Sequence, residues 1–287
     1  MVEVRKLKLD VPFNLLHTLE SGQVFRWRRM NEWWVGVVEG EVIHAKQGKG
    51  FLFFKTEKSL EFLKSYFRLE DDLDEIFEGR DDLENIKNII EEYYGLRIIR
   101  QNPKECLISY ICATNNSIPN IKKMISNLSR RFGRKISEGF YSFPELETLA
   151  SSKISDLREC KVGFRASYIK KASKRLCDMD LESLKSLSYR KAKSELLKLK
   201  GVGEKVSDCV LLFSLEKLEA FPVDVNIRNI IKNLYLKDSN SLKEIRDFGR
   251  RKFGRFCGYY NQYLYYHQLN LRKNCPPIKT LCGGEIV

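Results

Sequence analysis

Leu199 to Cys209 reads LKGVGEKVSDC, and a short way downstream Pro222 to Asn226 reads PVDVN. Gly201 and Gly203 lie close together in a helix-friendly neighbourhood. Glycine tolerates positive φ and close backbone approach, so a tight reversal joining two helices is predicted here. The second helix should start near Glu204, with Val206, Val210 and Phe213 on the apolar face that docks it into a core. Lys205 then falls in the first turn, among unpaired backbone N–H groups at the positive end of the helix dipole. A lysine so placed is either an ordinary solvated side chain or a candidate nucleophile. Downstream, Asp224 precedes VNIRNIIKNLY, whose Ile227, Ile230, Ile231 and Leu234 fall at helical spacing. Asp224 therefore reads as an N-cap, and a carboxylate held in that way also suits the stabilisation of positive charge.

At 287 residues the chain can bury a sizeable core and hold two or three subdomains. Its 51 Lys and Arg against 38 Asp and Glu give +13, which points to a polyanionic partner, nucleic acid before an anionic membrane. A lysine-rich, heat-adapted surface is the alternative explanation of that charge. No run of 18 apolar residues occurs, and the opening MVEVRKLKLD alternates charged with apolar residues, which argues against a spanning helix or signal peptide. The expectation is an intracellular protein. The 8 cysteines form no CxxC pair, so they read as reduced thiols without a metal site.

Taken together, LKGVGEKVSDC and PVDVN resemble the helix-hairpin-helix, Gly-Pro-Asp DNA glycosylases, in which the hairpin lysine attacks the sugar and the aspartate assists. The resemblance runs along almost the whole chain and, within that superfamily, is to the 8-oxoguanine DNA glycosylase/lyases. Cys257, Cys275 and Cys282 are too few and too widely spaced for the iron–sulfur branch, endonuclease III and the adenine glycosylases.

The fold class expected is α+β, an N-terminal antiparallel sheet with helices followed by a mainly α-helical glycosylase core in two subdomains. Residues 1–95 carry short β-branched and aromatic runs, VEVRKLKLD, VFRWR, WWVGVVEGEVIHAK and FLFFK. Helices over Glu57 to Arg68 and Leu83 to Tyr94 are predicted to cover one face of that sheet. From about residue 96 only helices are expected, with residues 96–115 and 216–287 forming one subdomain and 116–215 the other. Leu181 to Leu199 reads as a helix leading into the hairpin, and the tail from Asn274 is expected to fray.

The resemblance implies roles for further residues. In SGQVFRW, Gly22 would offer its carbonyl to the extra N7 hydrogen of the oxidised base, where guanine would present a repelling lone pair. Asn115, with Asn116 beside it at the end of the helix begun by Pro103, would plug the space left by an extruded base; unaided, the pair also reads as a helix C-cap. In the loop KVGFRASY, Phe164 would be the wedge that unstacks the duplex and Arg165 the side chain for the orphaned partner base. A loop phenylalanine on its own reads as a small core residue.

Gly201, Gly203 and Val206 would supply backbone groups to a phosphate, and relatives hold a monovalent cation on the hairpin carbonyls. No other cofactor is implied. Asn226 stands where relatives often have histidine, which weakens a DNA contact by that side chain. The flipped base would lie between Cys209 and Tyr265, in a pocket shared with Phe213 and Pro222, and either Asn261 or Gln262 would read its Watson–Crick edge. The partner implied is double-stranded DNA containing 8-oxoguanine, met by a monomer. The competing readings are an alkylated-base glycosylase, which generally lacks the hairpin lysine, and a non-catalytic helix-hairpin-helix DNA-binding protein.

Overall fold

The computed structural model describes residues 3–78, 84–237 and 241–274. The β-rich N-terminal segment forms an antiparallel sheet from β1 (Arg5–Lys8), β2 (Trp27–Met30), β3 (Trp33–Val38), β4 (Glu41–Gly48) and β5 (Phe51–Lys55), in the order β1-β5-β4-β3-β2. Alternation along the strands buries Leu7, Trp27, Ile43, Ala45, Leu52 and Phe54 together. Leu15 and Leu19 of α1 (Leu15–Glu20) and Leu63 and Tyr66 of α2 (Leu60–Tyr66) close that core. After α3 (Leu73–Phe77), α4 (Glu84–Glu92) departs from expectation. Its Ile86 and Ile89 join the helical core, and α4 packs on the last helix of the chain instead of on the sheet.

The remainder comprises α5 (Pro103–Cys112), α6 (Ile118–Phe132), α7 (Leu146–Ser151), α8 (Ile154–Glu159), α9 (Arg165–Cys177), α10 (Tyr189–Leu197), α11 (Glu204–Ser214), α12 (Val225–Leu234), α13 (Leu242–Phe253) and α14 (Cys257–Asn274). Strands do not vanish after residue 96, because β6 (Lys135–Ser137) and β7 (Phe140–Tyr141) make a small hairpin around Gly139 at φ +74°. The helix expected over Leu181 to Leu199 is broken: a 3-10 turn ends at Ser186, and extended Leu187 and Ser188 precede α10. The cysteine-bearing tail from Cys275 lies outside the described residues.

Helix α11 is buried from Val206 through Ser214, so it is a central helix rather than one docked by a single stripe. It packs on α5, whose Tyr110 stacks on Phe213 at 5.5 Å with the rings 6° apart. The sheet is tied to this helical core by buried arginines. Arg97 donates to the carbonyls of Pro12 (3.0 Å), Asp71 (2.8 Å) and Arg68, while Arg68 pairs with Glu216 (2.8 Å) just beyond α11.

Candidate active site

The reversal between α10 and α11 occurs where expected, with different work for its glycines. Gly201 has φ +90°, and a Cβ there would come within 2.6 Å of the Tyr168 Cβ, so both the backbone angle and the space require glycine. Gly203 is extended, with φ −100° and ψ −173°, and nothing lies near its Cβ position; positive φ is not its role. It is the N-cap of α11 and supplies no side-chain bond to the helix. Ser207 N–H is bonded to the Gly203 carbonyl at 2.9 Å, and no side chain caps the first turn of Glu204, Lys205 and Val206. These are the N–H groups that an anion can take. Val206 itself is buried, so its contribution to such a site is confined to the backbone.

Lys205 projects half-buried from that first turn, its Nζ 5.0 Å from the centre of the Tyr110 ring. One turn on lies Cys209, whose thiol feels the Lys205 charge. Burial pushes the Cys209 thiol up to about 12, with Lys205 pulling weakly the other way, so it stays a neutral thiol at physiological pH. Asp224 caps α12 as expected: its Oδ1 accepts Asn226 N–H at 2.8 Å and Ile227 N–H at 3.0 Å. Its negative charge adds to the upward shift that burial imposes on Cys209, Tyr110 and Tyr265, so the carboxylate lies within electrostatic range of all three.

Helix α14 holds the other walls. Asn261 donates to the Pro222 carbonyl at 3.0 Å, just before Asp224, and Gln262 donates to the Ser21 carbonyl at 2.8 Å, just before Gly22. One N–H of each amide thus fixes backbone at the pocket. Gly22 adopts φ +77°, and a Cβ there would meet the Tyr265 ring at 3.0 Å and Ile118 at 3.1 Å. The ring of Tyr265 therefore lies directly over the Gly22 backbone.

Asn115, Phe164 and Arg165 come together at the end of α5. Asn115 lies beyond the helix, exposed, at φ +48°, and Asn116 caps the helix by donating to the Cys112 carbonyl at 3.2 Å. The C-cap reading and an exposed Asn115 are both realised. Phe164 is 56% exposed, so it is not the small core residue that a lone loop phenylalanine suggests. Arg165 opens α9 four residues earlier than the sequence pattern indicated and is itself buried. Its Nε donates to the Thr114 carbonyl at 3.1 Å and its Nη2 to the Asn115 carbonyl at 3.2 Å. It braces the Asn115 turn in this structure. Asn226, for which only a weakened DNA contact was expected, has its side chain buried and turned toward Asp224.

The sequence did not reveal that Tyr110 of α5 floors the lysine. Nor did it reveal a buried cluster behind the hairpin, formed by Tyr189, Lys193, Asp208 and Arg246. The available signal was an acidic residue directly before the apolar run Cys209 to Phe213. Among the described residues, no group of His, Cys, Asp or Glu could hold a metal ion. The hairpin does present main-chain oxygens: the Leu199 carbonyl accepts Val202 N–H at 3.1 Å and the Gly203 carbonyl accepts Ser207 N–H, each keeping a second lone pair. That donor chemistry fits an alkali cation. No helix among the described residues is long and apolar enough to cross a membrane.

Residues 6–107 match the 8-oxoguanine DNA glycosylase N-terminal domain, and residues 108–254 match the HhH-GPD superfamily of base excision DNA repair proteins. A probable N-glycosylase/DNA lyase of Methanothermobacter thermautotrophicus is 32% identical over 72% of this chain and 74% of its own length. The N-glycosylase/DNA lyase OGG1 of Arabidopsis thaliana is 28% identical over 91% of this chain and 81% of its own. The Clostridium acetobutylicum 8-oxoguanine glycosylase/lyase, solved with double-stranded DNA carrying cytosine opposite 8-oxoguanine, superposes with a TM-score of 0.89 at 35% identity, covering 95% of this chain and 98% of that one. With its hairpin lysine, its capping aspartate and both of its segments matched, the chain belongs to the HhH-GPD superfamily of base excision DNA repair proteins, in the branch that carries the 8-oxoguanine DNA glycosylase N-terminal domain.

Proposed function

We propose that this protein excises 8-oxoguanine from duplex DNA and then cleaves the abasic strand, with Lys205 as nucleophile and Asp224 as its electrostatic partner. The observation that carries the reading is the convergence of two helix starts. Lys205 in the first turn of α11 and Asp224 at the N-cap of α12 both act on the Cys209 thiol, and Asp224 also acts on Tyr265, whose ring packs against Gly22; this supports a shared site.

The target nucleotide leaves the stack and enters that pocket, with Phe164 against the opened step and Asn115 in the gap. The Gly22 carbonyl accepts the N7 hydrogen that only the oxidised base carries. As the N-glycosidic bond breaks, the base departs with the bonding pair, and the carboxylate of Asp224 stabilises the cationic character left on the sugar. The Lys205 amine attacks C1′, and loss of its proton and of the ring C–O bond gives a Schiff base. Removal of a C2′ proton then expels the 3′ phosphate, and hydrolysis of the imine frees the lysine. The N–H groups of Glu204, Lys205 and Val206 hold a backbone phosphate, and a monovalent cation on the hairpin carbonyls would add positive charge there. Every catalytic residue in this scheme comes from one chain, and the enzyme is proposed to act as a monomer.

Borohydride trapping tests the reading. An 8-oxoguanine duplex should give a covalent adduct that is lost in Lys205→Gln. Base release without an adduct would instead favour an alkylated-base glycosylase, and neither adduct nor release a binding module. Binding should weaken with salt, each neutralised phosphate contributing about 0.9 to the log–log slope.

A further inference from the structure

The carboxylate of Asp224 is held from both sides. Its Oδ1 takes the ordinary capping bonds from Asn226 N–H (2.8 Å) and Ile227 N–H (3.0 Å). These leave Oδ2 as the oxygen free to face a cationic sugar, and the carboxylate could still turn about its Cβ–Cγ bond. The Asn226 Nδ2 lies 3.3 Å from that Oδ2. A carboxylate only accepts, so this contact fixes which end of the amide points at Asp224.

The cost of the arrangement is visible on the other end of the amide. Asn226 is 8% exposed, and its Oδ1 is buried without a hydrogen-bond partner. A buried acceptor left unsatisfied destabilises a fold, whereas an apolar side chain of similar size would not. Stability alone therefore does not account for an amide here. What the amide supplies is a neutral donor on the second oxygen of Asp224.

On the reading that Asp224 is the electrostatic partner of the reaction, we infer that Asn226 is a positioning residue for it. The Asn226 side chain locks the plane of the carboxylate, so that Oδ2 is aimed before the sugar develops charge and need not reorganise as it does so. Fixed dipoles and charges of this kind act on the barrier to bond breaking rather than on binding. Asn226 therefore contributes to the rate of base release and not to the grip on DNA.

The test compares single-turnover base release, affinity for a lesion duplex and melting temperature in Asn226→Leu, Asn226→Ala, Asn226→His, Asp224→Asn and the double variant Asp224→Asn/Asn226→Leu. Asn226→Leu should slow base release by about tenfold to a hundredfold, less than the roughly hundredfold to thousandfold lost when a donor to the reacting atoms is itself removed, while lesion affinity stays within about twofold. Asn226→Ala should behave alike, and it carries the test if the leucine does not fold. Asn226→His, which retains a ring N–H, should recover most of the rate. The double variant should be no slower than Asp224→Asn alone, because groups that act as a unit are not additive. Wild-type base release in both the Leu and Ala variants overturns the inference. So does lost lesion affinity with an unchanged release rate, which would make Asn226 a DNA contact. A wild-type rate in Asp224→Asn removes the assignment of Asp224 itself, and the inference with it, in an arm separate from the Asn226 variants.

Discussion

The Nζ of Lys193 lies 2.8 Å from both carboxylate oxygens of Asp208, a residue with no exposed surface that directly precedes Cys209 in α11. The Tyr189 hydroxyl donates to the same carboxylate at 2.7 Å. Glu204, beside Lys205, pairs with Lys193 and with Arg246, each at 2.8 Å. These bonds tie α10, α11 and α13 together behind the hairpin. The face of α11 that turns away from Lys205 and Cys209 is therefore clamped by charge.

Lys193→Met should cost about 3 kcal/mol in denaturant unfolding, because it removes the cation that meets both oxygens of buried Asp208 and leaves it only the Tyr189 hydroxyl and Arg246, 3.8 Å away. Burial already pushes the Asp208 carboxyl up against the pull of Lys193, Tyr189 and Arg246. A carboxyl raised in the folded state binds its proton more tightly there than in the unfolded chain. Its contribution is thus present at low pH and lost as pH rises through the raised value. The variant should be most impaired above that range, and Asp208→Leu introduced alongside should recover much of the loss.

Gly201→Ala and Gly203→Ala should part company. The first forces a side chain into φ +90° and against Tyr168, and it should lower stability by about 1–3 kcal/mol. The second meets open space at an extended position and should leave the melting temperature nearly unchanged. Equal losses in the two would mean that the hairpin geometry is wrong.

Acid should loosen the junction between the sheet and the helical core. For Glu216, burial acts to raise the carboxyl, but the Arg68 and Arg100 guanidiniums outweigh it and hold it below its ordinary 4.5. Glu204 is lowered in the same sense by Lys193 and Arg246 against burial. For depressed carboxylates the stabilisation is present above the ordinary value and is lost as pH falls through the folded one. Unfolding midpoints should therefore drop below about pH 4.5, and Glu216→Gln should flatten that decline.

Lys205→Gln should abolish base release and strand cleavage yet keep lesion DNA bound, since the phosphate-binding backbone of the hairpin is untouched. Asp224→Asn should slow release strongly while costing about 1 kcal/mol or less, because asparagine remains a good N-cap. Single-turnover kinetics beside thermal melts separate the two effects. Wholesale unfolding of Asp224→Asn would make that residue structural only.

Selectivity for the base opposite the lesion should be relaxed. Arg165, the side chain implied for the partner base, is buried and braces the Asn115 turn, and the nearby exposed position in α6 carries Asn120 instead of a charged side chain. Asparagine lacks the charge-assisted fork of arginine, and losing one bidentate base contact removes about 1–3 kcal/mol of discrimination. Excision opposite C, A, G and T should differ little, and Asn120→Arg should restore a preference for cytosine. No gain in that variant would place the reading of the partner base elsewhere.

The sequence alone determined the features whose causes are local. The five-stranded N-terminal sheet followed from alternating β-branched runs, the start of α11 from the glycine pair before an apolar helix, and the cap of α12 from Asp224 ahead of a periodic run. Capping, turn conformation and periodicity act over a few residues, so they leave their signature in the chain itself. Tertiary structure decided the rest. It made Gly201 alone the strained glycine of the hairpin, sent α4 to the helical core, turned Asn226 inward to Asp224, and spent Gln262 on a carbonyl 241 residues away. Each of these depends on which atoms meet after distant segments pack. A contact between residues far apart in the chain has no period and no neighbouring signal by which it can be read before folding.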